Sequence, residues 1–408
     1  MRKNKIDIIS LGCSKNLVDS EHLIRQFQAN GYSVEHNPSR VDGEIVVVNT
    51  CGFIRDAQEE SIDMILELGR AKKEGKIKKL FVMGCLAERF MAQLIDELPE
   101  VDKFYGKFNW KEILNDLGKS YKEDLSSERY LTTPKHYAYL KISEGCNRFC
   151  AFCAIPLITG RHKSVPMDTL LNEVKHLVSQ GVKEFNVIAQ DLSSYGLDLY
   201  GKMMLPELID QMAQIEGVEW IRLHYAYPTQ FPYDILPVMA KHDNVCKYLD
   251  IALQHTSDKV LNNMQRHITK TETIELIKRI RKEVPGIHIR TTLMVGFPGE
   301  GEEEGTFAAK HFDDIIPEDV KADRLDKIME IQEEISDEIQ SKKVGNVYKV
   351  IIDSVDEMYY SGRTEWDSPE VDPEVLIPVE NGKLEIGNFY QVEITDATPF
   401  ELFGKVVG

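Results

Sequence analysis

Glu144-Gly-Cys-Asn-Arg-Phe-Cys-Ala-Phe-Cys153 places three cysteines, Cys146, Cys150 and Cys153, in C-x3-C-x2-C spacing. Clustered thiolates of this kind can ligate three irons of one cubane and leave its fourth iron without a protein ligand. A structural zinc site wants a fourth Cys or His close by. The chain instead continues Ala154-Ile-Pro-Leu-Ile-Thr-Gly160, and the next histidine is His162. The loop is fed by Tyr137-Ala-Tyr-Leu-Lys-Ile142, which reads as a strand. Further strands are expected over 184–189, 220–225, 248–253 and 288–294, with helices centred near Val174, Leu208, Leu236, Val260 and Ile277. Five or six βα units predict a complete or partial TIM-like barrel, whose chemistry lies at the carboxyl ends of its strands. The cysteine loop follows the first strand and sits at that face.

The chain before this barrel alternates in the same way. Ile6-Asp-Ile-Ile-Ser-Leu11, Glu44-Ile-Val-Val-Val-Asn49 and Lys79-Leu-Phe-Val-Met83 read as strands, each followed by a helical pattern. This predicts a parallel sheet covered by helices. Cys13, Cys51 and Cys85 follow the three strands in turn, beside Gly12, Gly52 and Gly84. One such cysteine is most simply a small buried thiol. Three at matched strand ends face one crevice, and a second three-thiolate cluster is the simplest object for them to share.

Downstream, Lys119 to Thr133 is polar and reads as a linker, and 317–343 reads as a charged amphipathic helix. Beyond it, strands are expected over 347–353, 375–379 and 390–395, forming a small all-β, barrel-like module. The expected organisation is a parallel α/β domain over 1–118, a linker over 119–133, the barrel over 134–316, a connecting helix over 317–343, and the β module over 344–408. The chain carries 49 basic and 67 acidic residues, a net charge of −18. The β module alone has four basic residues, Lys349, Arg363, Lys383 and Lys405, against 13 acidic ones. Such a balance disfavours a polyanionic partner and suits a basic one. No apolar run is long enough to span a bilayer, and Met1-Arg-Lys-Asn-Lys-Ile-Asp lacks a signal-peptide core, so a cytoplasmic location is expected. Seven cysteines, an odd number in so long a chain, suit metal binding better than a disulfide scaffold.

Other residues gain interest from position. Phe152, between two of the barrel cysteines, either packs on an adenine ring or plugs its loop into the barrel. Gln190 and Asp191 follow a barrel strand, where they can bind a cofactor's amine or carboxylate or merely cap a helix. Gln254 and His255 end another strand, and Arg266 follows a short helix. Gly296, in Val295-Gly-Phe-Pro-Gly-Glu300, lies in a turn that lets backbone approach a ligand. Cys246 reads as a small buried apolar residue.

The C-x3-C-x2-C loop resembles that of the radical S-adenosylmethionine (SAM) enzymes, in which the open iron chelates SAM. The order of three domains resembles the methylthiotransferases along nearly the whole chain. The matching stretches are Leu11-Gly-Cys-Ser-Lys-Asn-Leu-Val-Asp-Ser-Glu21, Val48-Asn-Thr-Cys-Gly-Phe53, Gly84-Cys85 and Val295-Gly-Phe-Pro-Gly-Glu300. Leu140 to Pro156 and Tyr248-Leu-Asp-Ile-Ala-Leu-Gln-His255 are similar to the RimO branch, which modifies an aspartate β-carbon of the ribosomal small-subunit protein S-twelve. The sister MiaB branch modifies an adenosine of tRNA. The resemblance implies that Cys146, Cys150 and Cys153 hold a 4Fe-4S cluster that cleaves SAM to a 5′-deoxyadenosyl radical. It implies that Cys13, Cys51 and Cys85 hold an auxiliary 4Fe-4S cluster that handles sulfur, and that the β module is TRAM-like. Phe152, Gln190, Gln254, Arg266 and Gly296 become the candidates for holding SAM. No side-chain nucleophile is expected. The partners implied are the basic S-twelve protein and an external electron donor such as flavodoxin or ferredoxin, without direct tRNA binding. The same chemistry on tRNA, and an iron–sulfur sensor or electron carrier without turnover, are the alternatives.

One departure stands out. After Glu300 the family continues with a further strand and helix, whereas Gly301-Glu-Glu-Glu-Gly-Thr306 follows here at once. About 25 residues, the length of one βα unit, are absent. The expectation is that a stretch of the natural chain is omitted, and an intact mass of 46.7 kDa for the purified protein would refute it.

Overall fold

Strand β3 (Gly43–Thr50) carries four successive β-branched residues, Ile45 to Val48, all buried. A strand apolar on both faces must be covered on both, as in a parallel sheet between helix layers. The computed structural model, which describes residues 2–297, 305–312 and 316–407, shows that arrangement. β1 (Arg2–Ser10), β2 (Ser33–His36), β3, β4 (Lys79–Gly84) and β5 (Lys103–Phe104) form a parallel sheet in the order β2-β1-β3-β4-β5. Helices Ser14–Ala29, Arg55–Lys73 and Cys85–Glu97 follow the three long strands. Separate apolar clusters fill its two sides, one around Val46, Val48 and Leu80, the other around Ile6, Val47 and Phe81. Of the five strands, β2 and β5 lay outside the sequence expectation: they are short and only partly buried, so neither carries an apolar period.

A two-stranded hairpin of β7 (Ser143–Glu144) and β8 (Lys163–Ser164) follows β6 (Tyr137–Lys141) and brackets the cysteine loop. β9 (Glu184–Ile188), β10 (Trp220–Ala226), β11 (Val245–Ile251) and β12 (His288–Arg290) join β6 in a second parallel sheet, ordered β12-β11-β10-β9-β6. Helices over Met167–Ser179, Leu205–Ala213, Ile235–Lys241 and Lys270–Glu283 intervene, and their apolar faces bury Val174, Leu208, Leu236 and Leu276 against the sheet. The barrel is therefore the partial form. Among the described residues no strand pairs beyond β12, whose three residues are half-buried. The strand expected over 288–294 is shorter, and Leu293 meets Gln254 only as an isolated bridge. Pro298 to Glu300 of the Gly-Pro turn, and 301–304 of the departure from the family pattern, lie outside the described residues.

The helix Glu318–Ser341 forms where expected, yet Leu325, Met329, Ile331, Ile335 and Ile339 on its apolar stripe are exposed. Its carboxyl end is tied to the last domain, where the Ser336 hydroxyl donates to the Pro399 carbonyl at 2.5 Å. That domain is a closed five-stranded barrel, β13 (Val347–Val355), β14 (Tyr359–Arg363), β15 (Glu374–Pro378), β16 (Phe389–Ala397) and β17 (Glu401–Val406), ordered β13-β14-β15-β17-β16. β14 and β17 were not foreseen, because an interior glycine in each weakens the strand signal.

Two segments bind the domains together. In the polar stretch expected as a linker, Arg129 is buried between Glu21 of the first domain (3.4 Å) and Glu173 of the barrel (3.2 Å). Arg363 of the β module enters the bottom of the barrel. Its Nη1 and Nη2 donate to the Glu184 carboxylate at 3.0 and 2.7 Å, Arg222 Nε lies 3.1 Å from the same group, and Asp353 takes Arg363 Nε. Burial works to raise the Glu184 pKa, but the two guanidiniums outweigh it and hold it below the ordinary value. The junction's stability is thus complete above the ordinary glutamate range and is lost as pH falls through Glu184's depressed value. Removing one partner of a buried pair strands the other charge. Arg363→Ala should therefore cost about 3–5 kcal/mol in urea unfolding at neutral pH, with the deficit narrowing on acidification. A loss below about 1 kcal/mol would mean that the junction holds nothing.

Candidate active site at the boundary of the two sheets

The first three strands end in cysteines because each strand hands its chain to a helix at the same sheet edge. Cys13 is the residue preceding helix Ser14–Ala29, Cys85 opens helix Cys85–Glu97, and Cys51 stands just before helix Arg55–Lys73. Helix amino termini present unpaired N–H groups and positive potential, which favour thiolates. The loops touch. A Cβ on Gly12 (φ +85°) would lie 2.6 Å from Cys51 Cβ, and one on Gly84 (φ +102°) would lie 2.4 Å from Asn49 Oδ1, so both positions need glycine. Asn16 staples the loops by donating to the Thr50 carbonyl at 3.0 Å and the Leu11 carbonyl at 3.3 Å, while accepting from Cys85 Sγ at 3.5 Å.

The thiols differ in setting. Cys51 and Cys85 are buried, and Cys13 is open to solvent although protein surrounds it. Burial pushes Cys85 up to about 12, with Cys13 and Cys51 adding to the rise and Lys107 opposing it. For Cys13 burial is outweighed by Lys15, Lys107 and the Lys15 and Asn16 amides, so its thiol is held below the ordinary value. The charge of Cys13 adds to the rise at Cys51 and at Cys85, as expected of sulfurs gathered at one place.

The barrel trio lies across the boundary. Cys146 N donates to the Gly160 carbonyl at 3.2 Å, Cys153 N to the Cys150 carbonyl at 3.0 Å, and Ala151 N to the Met264 carbonyl at 2.9 Å, which fixes the loop. Burial, then neighbouring sulfur charge among other terms, pushes Cys146 to about 11 and Cys153 to about 12. Cys85 packs directly on Ala154 and Ile158, which follow Cys153, so the two trios share one apolar wall. Among the described residues no three sulfurs come within 4.8 Å of one another. Ligands of a single tetrahedral zinc would sit about 3.8 Å apart. Thiolates on separate irons of a cubane stand wider than that, so neither trio is arranged for a single tetrahedral ion. The one tight acidic group, Asp7, Glu35 and Asp42, is already filled by the Lys5 ammonium.

A buried ionic quartet bridges the trios. Lys107 Nζ lies 3.0 Å from Asp19, 3.6 Å from Glu144 and 3.3 Å from Asn16 Oδ1, and Lys141 Nζ lies 2.9 Å from Glu144 and also meets Asp19. Burial alone would lower the Lys107 pKa, but Asp19, Cys85, Glu144 and Cys13 hold it well above the ordinary value. Asp19 sits at about 2, because the two lysines overcome the upward effect of burial. None of these four was singled out from the sequence, since their meeting depends on two domains docking.

The residues expected to hold SAM surround the barrel trio unevenly. Gln190 Nε2 donates to Glu144, and its Oε1 is buried without a partner. Gln254, buried at the end of β11 with φ +72°, likewise has an unpartnered Oε1. Arg266 donates through Nη1 to Cys150 Sγ at 3.3 Å and lies over the Tyr227 ring at 4.1 Å, leaving a buried Nε unused. Asp191 is engaged by Arg148 at 2.7 Å and caps its own turn through Ser193 N. Phe152 packs edge-on against Phe297 at 6.4 Å, beside Met264 and Ala308, which is the plugging role. Gly296 has φ +83°, the backbone conformation its turn required. Cys246 is buried with Trp220, Tyr248 and Ile351, away from both trios. Buried polar atoms without protein partners are rare and mark places where a polar ligand fits. Gln190, Gln254 and Arg266 supply three around one cysteine loop.

The comparisons with known proteins agree with this architecture. Residues 5–106 match the model of uncharacterized protein family UPF0004, residues 140–310 the radical SAM superfamily, and residues 344–407 the TRAM domain. The "Ribosomal protein uS12 methylthiotransferase RimO" of Parabacteroides distasonis is 61% identical over 432 aligned positions, covering 100% of both chains. Its namesake in Bacteroides thetaiotaomicron is 60% identical, covering 100% of this chain and 99% of that one. The chain belongs to the RimO methylthiotransferase family. Among solved structures, the radical SAM methyltransferase TsrM of Kitasatospora setae matches 72% of this chain and 68% of its own, with a TM-score of 0.52 at 13% identity, a likeness of fold alone. The RimO alignment also bears on length. Its 432 positions cover 408 residues here, so 24 positions of the family member face no residue of this chain, close to the βα unit missing from the family pattern.

Two outcomes test the site's construction. Asn16→Ala should cost the unloaded protein about 1–3 kcal/mol in urea unfolding, because it removes the donor to the buried Thr50 carbonyl and the Leu11 carbonyl and one acceptor of Lys107. The Asp19 contribution to stability should persist down to about pH 4 and disappear as pH falls toward about 2, and Asp19→Asn should remove that acid limb.

Proposed function

We propose that this chain methylthiolates the β-carbon of an aspartate in the ribosomal small-subunit protein uS12, the S-twelve protein of the family resemblance. The observation that carries the reading is the pair of cysteine trios, Cys13/Cys51/Cys85 and Cys146/Cys150/Cys153, sharing a wall through Cys85, Ala154 and Ile158 in a chain 61% identical to a RimO protein. When bound, SAM and two 4Fe-4S clusters supply a 5′-deoxyadenosyl radical that abstracts hydrogen and a methylthio group that replaces it. The protein's part is position and charge. Gln190, Gln254 and Arg266 orient SAM at the barrel trio, Gly296 admits backbone close to it, and Phe152 with Phe297 seals the loop from water. Lys107 offsets the negative charge gathered at the auxiliary trio.

Surface charge supports a protein substrate over tRNA. Of the β module's four basic residues, Arg363 is buried, Lys349 pairs with Glu219, Lys405 pairs with Glu393, and Lys383 is exposed. Asp356, Glu357, Glu370, Glu374, Glu385 and Glu401 are exposed. A phosphate backbone needs a basic track, and among the described residues this module offers none. A basic ribosomal protein finds complementary charge there. An external donor such as flavodoxin or ferredoxin delivers the reducing electron, no tRNA is bound directly, and a ribosomal substrate places the reaction in the cytoplasm.

The test is anaerobic. Reconstituted protein given SAM, reductant and recombinant uS12 should add one methylthio group to a single aspartate, read by mass spectrometry of peptides. Iron should fall from about eight to about four per chain in both Cys85→Ala and Cys146→Ala. Cys146→Ala should abolish 5′-deoxyadenosine formation and Cys85→Ala the methylthiolated product. Protein that loads both clusters yet forms no 5′-deoxyadenosine is a sensor or carrier instead.

A further inference from the structure

The helix Ser14–Ala29 carries a lysine that the ionic quartet does not use. Lys15 stands two residues past Cys13, is only 8% exposed, and reaches across the domain boundary. Its ammonium lies 3.5 Å from the centroid of the Tyr225 ring, at the carboxyl end of β10. It forms no hydrogen bond or ion pair with any carboxylate among the described residues. Its neighbours differ. Lys107 and Lys141 are neutralised by Asp19 and Glu144, Arg148 by Asp191, and Arg290 faces Asp250 at 3.6 Å. Arg266 is committed to Cys150 and the Ala252 carbonyl. Among the described residues Lys15 thus has no carboxylate within ion-pair distance, although its charge reaches Asp250, and an aromatic face is a weak substitute for a paired anion.

Its perch is unusual too. Tyr225 holds φ +65°, a left-handed backbone that costs energy in a non-glycine residue, and it is 37% exposed. Strain of this kind persists where the surroundings impose it and gathers at ligand sites. Lys15 thus links that ring to Cys13, the exposed thiol of the auxiliary trio, two residues before it in the chain.

The chemistry of the substrate supplies the missing charge. The reacting β-carbon of an aspartate is bonded directly to its carboxyl carbon. Bringing that carbon to the auxiliary trio would therefore carry a carboxylate to the same place. A carboxylate withdrawn from water needs a cation and hydrogen-bond donors. An ammonium resting on a ring can turn to it and offer three N–H groups.

We propose that Lys15 receives the carboxylate of the target aspartate and so determines specificity for an acidic side chain. The inference rests on the uS12 reading and deepens it. The carboxylate displaces the Tyr225 ring as the partner of Lys15, and the β-carbon is thereby held beside the auxiliary trio. A rival role, simple compensation of thiolate charge at Cys13, makes no distinction between an acidic and a neutral substrate side chain.

The experiment is a two-by-two binding cycle on the cluster-loaded enzyme with SAM, under anaerobic conditions. Dissociation constants are measured for uS12 and for uS12 with its modified aspartate changed to Asn, against wild-type and Lys15→Met protein. Wild type should prefer the Asp form by about tenfold, and Lys15→Met should bind the two forms within about twofold. Lys15→Arg, which keeps the charge, should restore most of the preference. An unchanged preference in Lys15→Met overturns the proposal, as does a wild-type enzyme indifferent to Asp against Asn. Should Lys15→Met fail to load its clusters, Lys15→Arg and Lys15→Gln decide: preference kept in the first and lost in the second supports it, and any other pattern sinks it. Failure of the underlying reading has a separate signature, namely wild-type enzyme that neither binds uS12 nor adds a methylthio group to it.

Discussion

Lys107, Lys141, Asp19 and Glu144 form a neutral set of two cations and two anions withdrawn from water at the boundary between the sheets. Such a set is a poor source of net stability, because desolvation consumes much of its Coulomb energy. Its geometry, however, cannot relax without stranding a charge. One end reaches Asn16, whose amide staples the loops of Cys13, Cys51 and Cys85. The other end is Glu144, two residues before Cys146. This bridge and the apolar contact of Cys85 with Ala154 and Ile158 join two sulfur sites built on independent sheets, beside the Arg129 ties to Glu21 and Glu173. The quartet also leaves Lys107 turned toward the auxiliary trio, where its field opposes the charge that gathering thiolates build up.

The two trios were legible in the sequence because parallel sheets convert strand order into spatial proximity. A cysteine after each of three strands has one edge of the sheet to occupy, and a cysteine loop after the first barrel strand has one face. What the sequence did not reveal depends on docking. Asp19 and Glu144 are 125 residues apart and read as ordinary polar positions until the domains meet. Arg363 counted as one of the β module's basic residues, yet it is spent on Glu184 inside the barrel, so the module's surface is more acidic than its composition suggests. Phe152 stood equally well as an adenine contact or a plug, and Phe297, remote in sequence, decides for the plug. The short strands β2 and β5 bury too little to leave a pattern, and β14 and β17 hide behind their glycines.

The departure from the family pattern has a structural counterpart on both sides of 291–317. Before it, β12 is three residues long and ends the sheet. After it, the helix Glu318–Ser341 turns Leu325, Met329, Ile331, Ile335 and Ile339 to solvent, although an amphipathic helix draws most of its stability from covering such a stripe. The RimO alignment exceeds this chain by 24 positions, about the length of one βα unit.

Apart from Gly296 and Phe297, the residues of the site do not follow the strand at that edge. Cys146, Cys150 and Cys153 follow β6, Gln190 follows β9, Tyr225 and Tyr227 end β10, and Gln254 follows β11, all on the side of the sheet that faces the first domain. These residues are tied to the edge by the packing of Phe152 on Phe297 and by the Gln254–Leu293 bridge, where Gln254 N donates to the Thr292 carbonyl at 2.9 Å and Met294 N to the Gln254 carbonyl at 2.7 Å. Because that bridge holds without a sixth strand, the donor atoms around the barrel trio keep their places while the sheet beyond them stays open. The order of the site is thus set mainly by contacts among the ends of β6 to β11 and by the buried ions beside β6, and the Gln254 bridge with the Phe152–Phe297 contact carries it to β12.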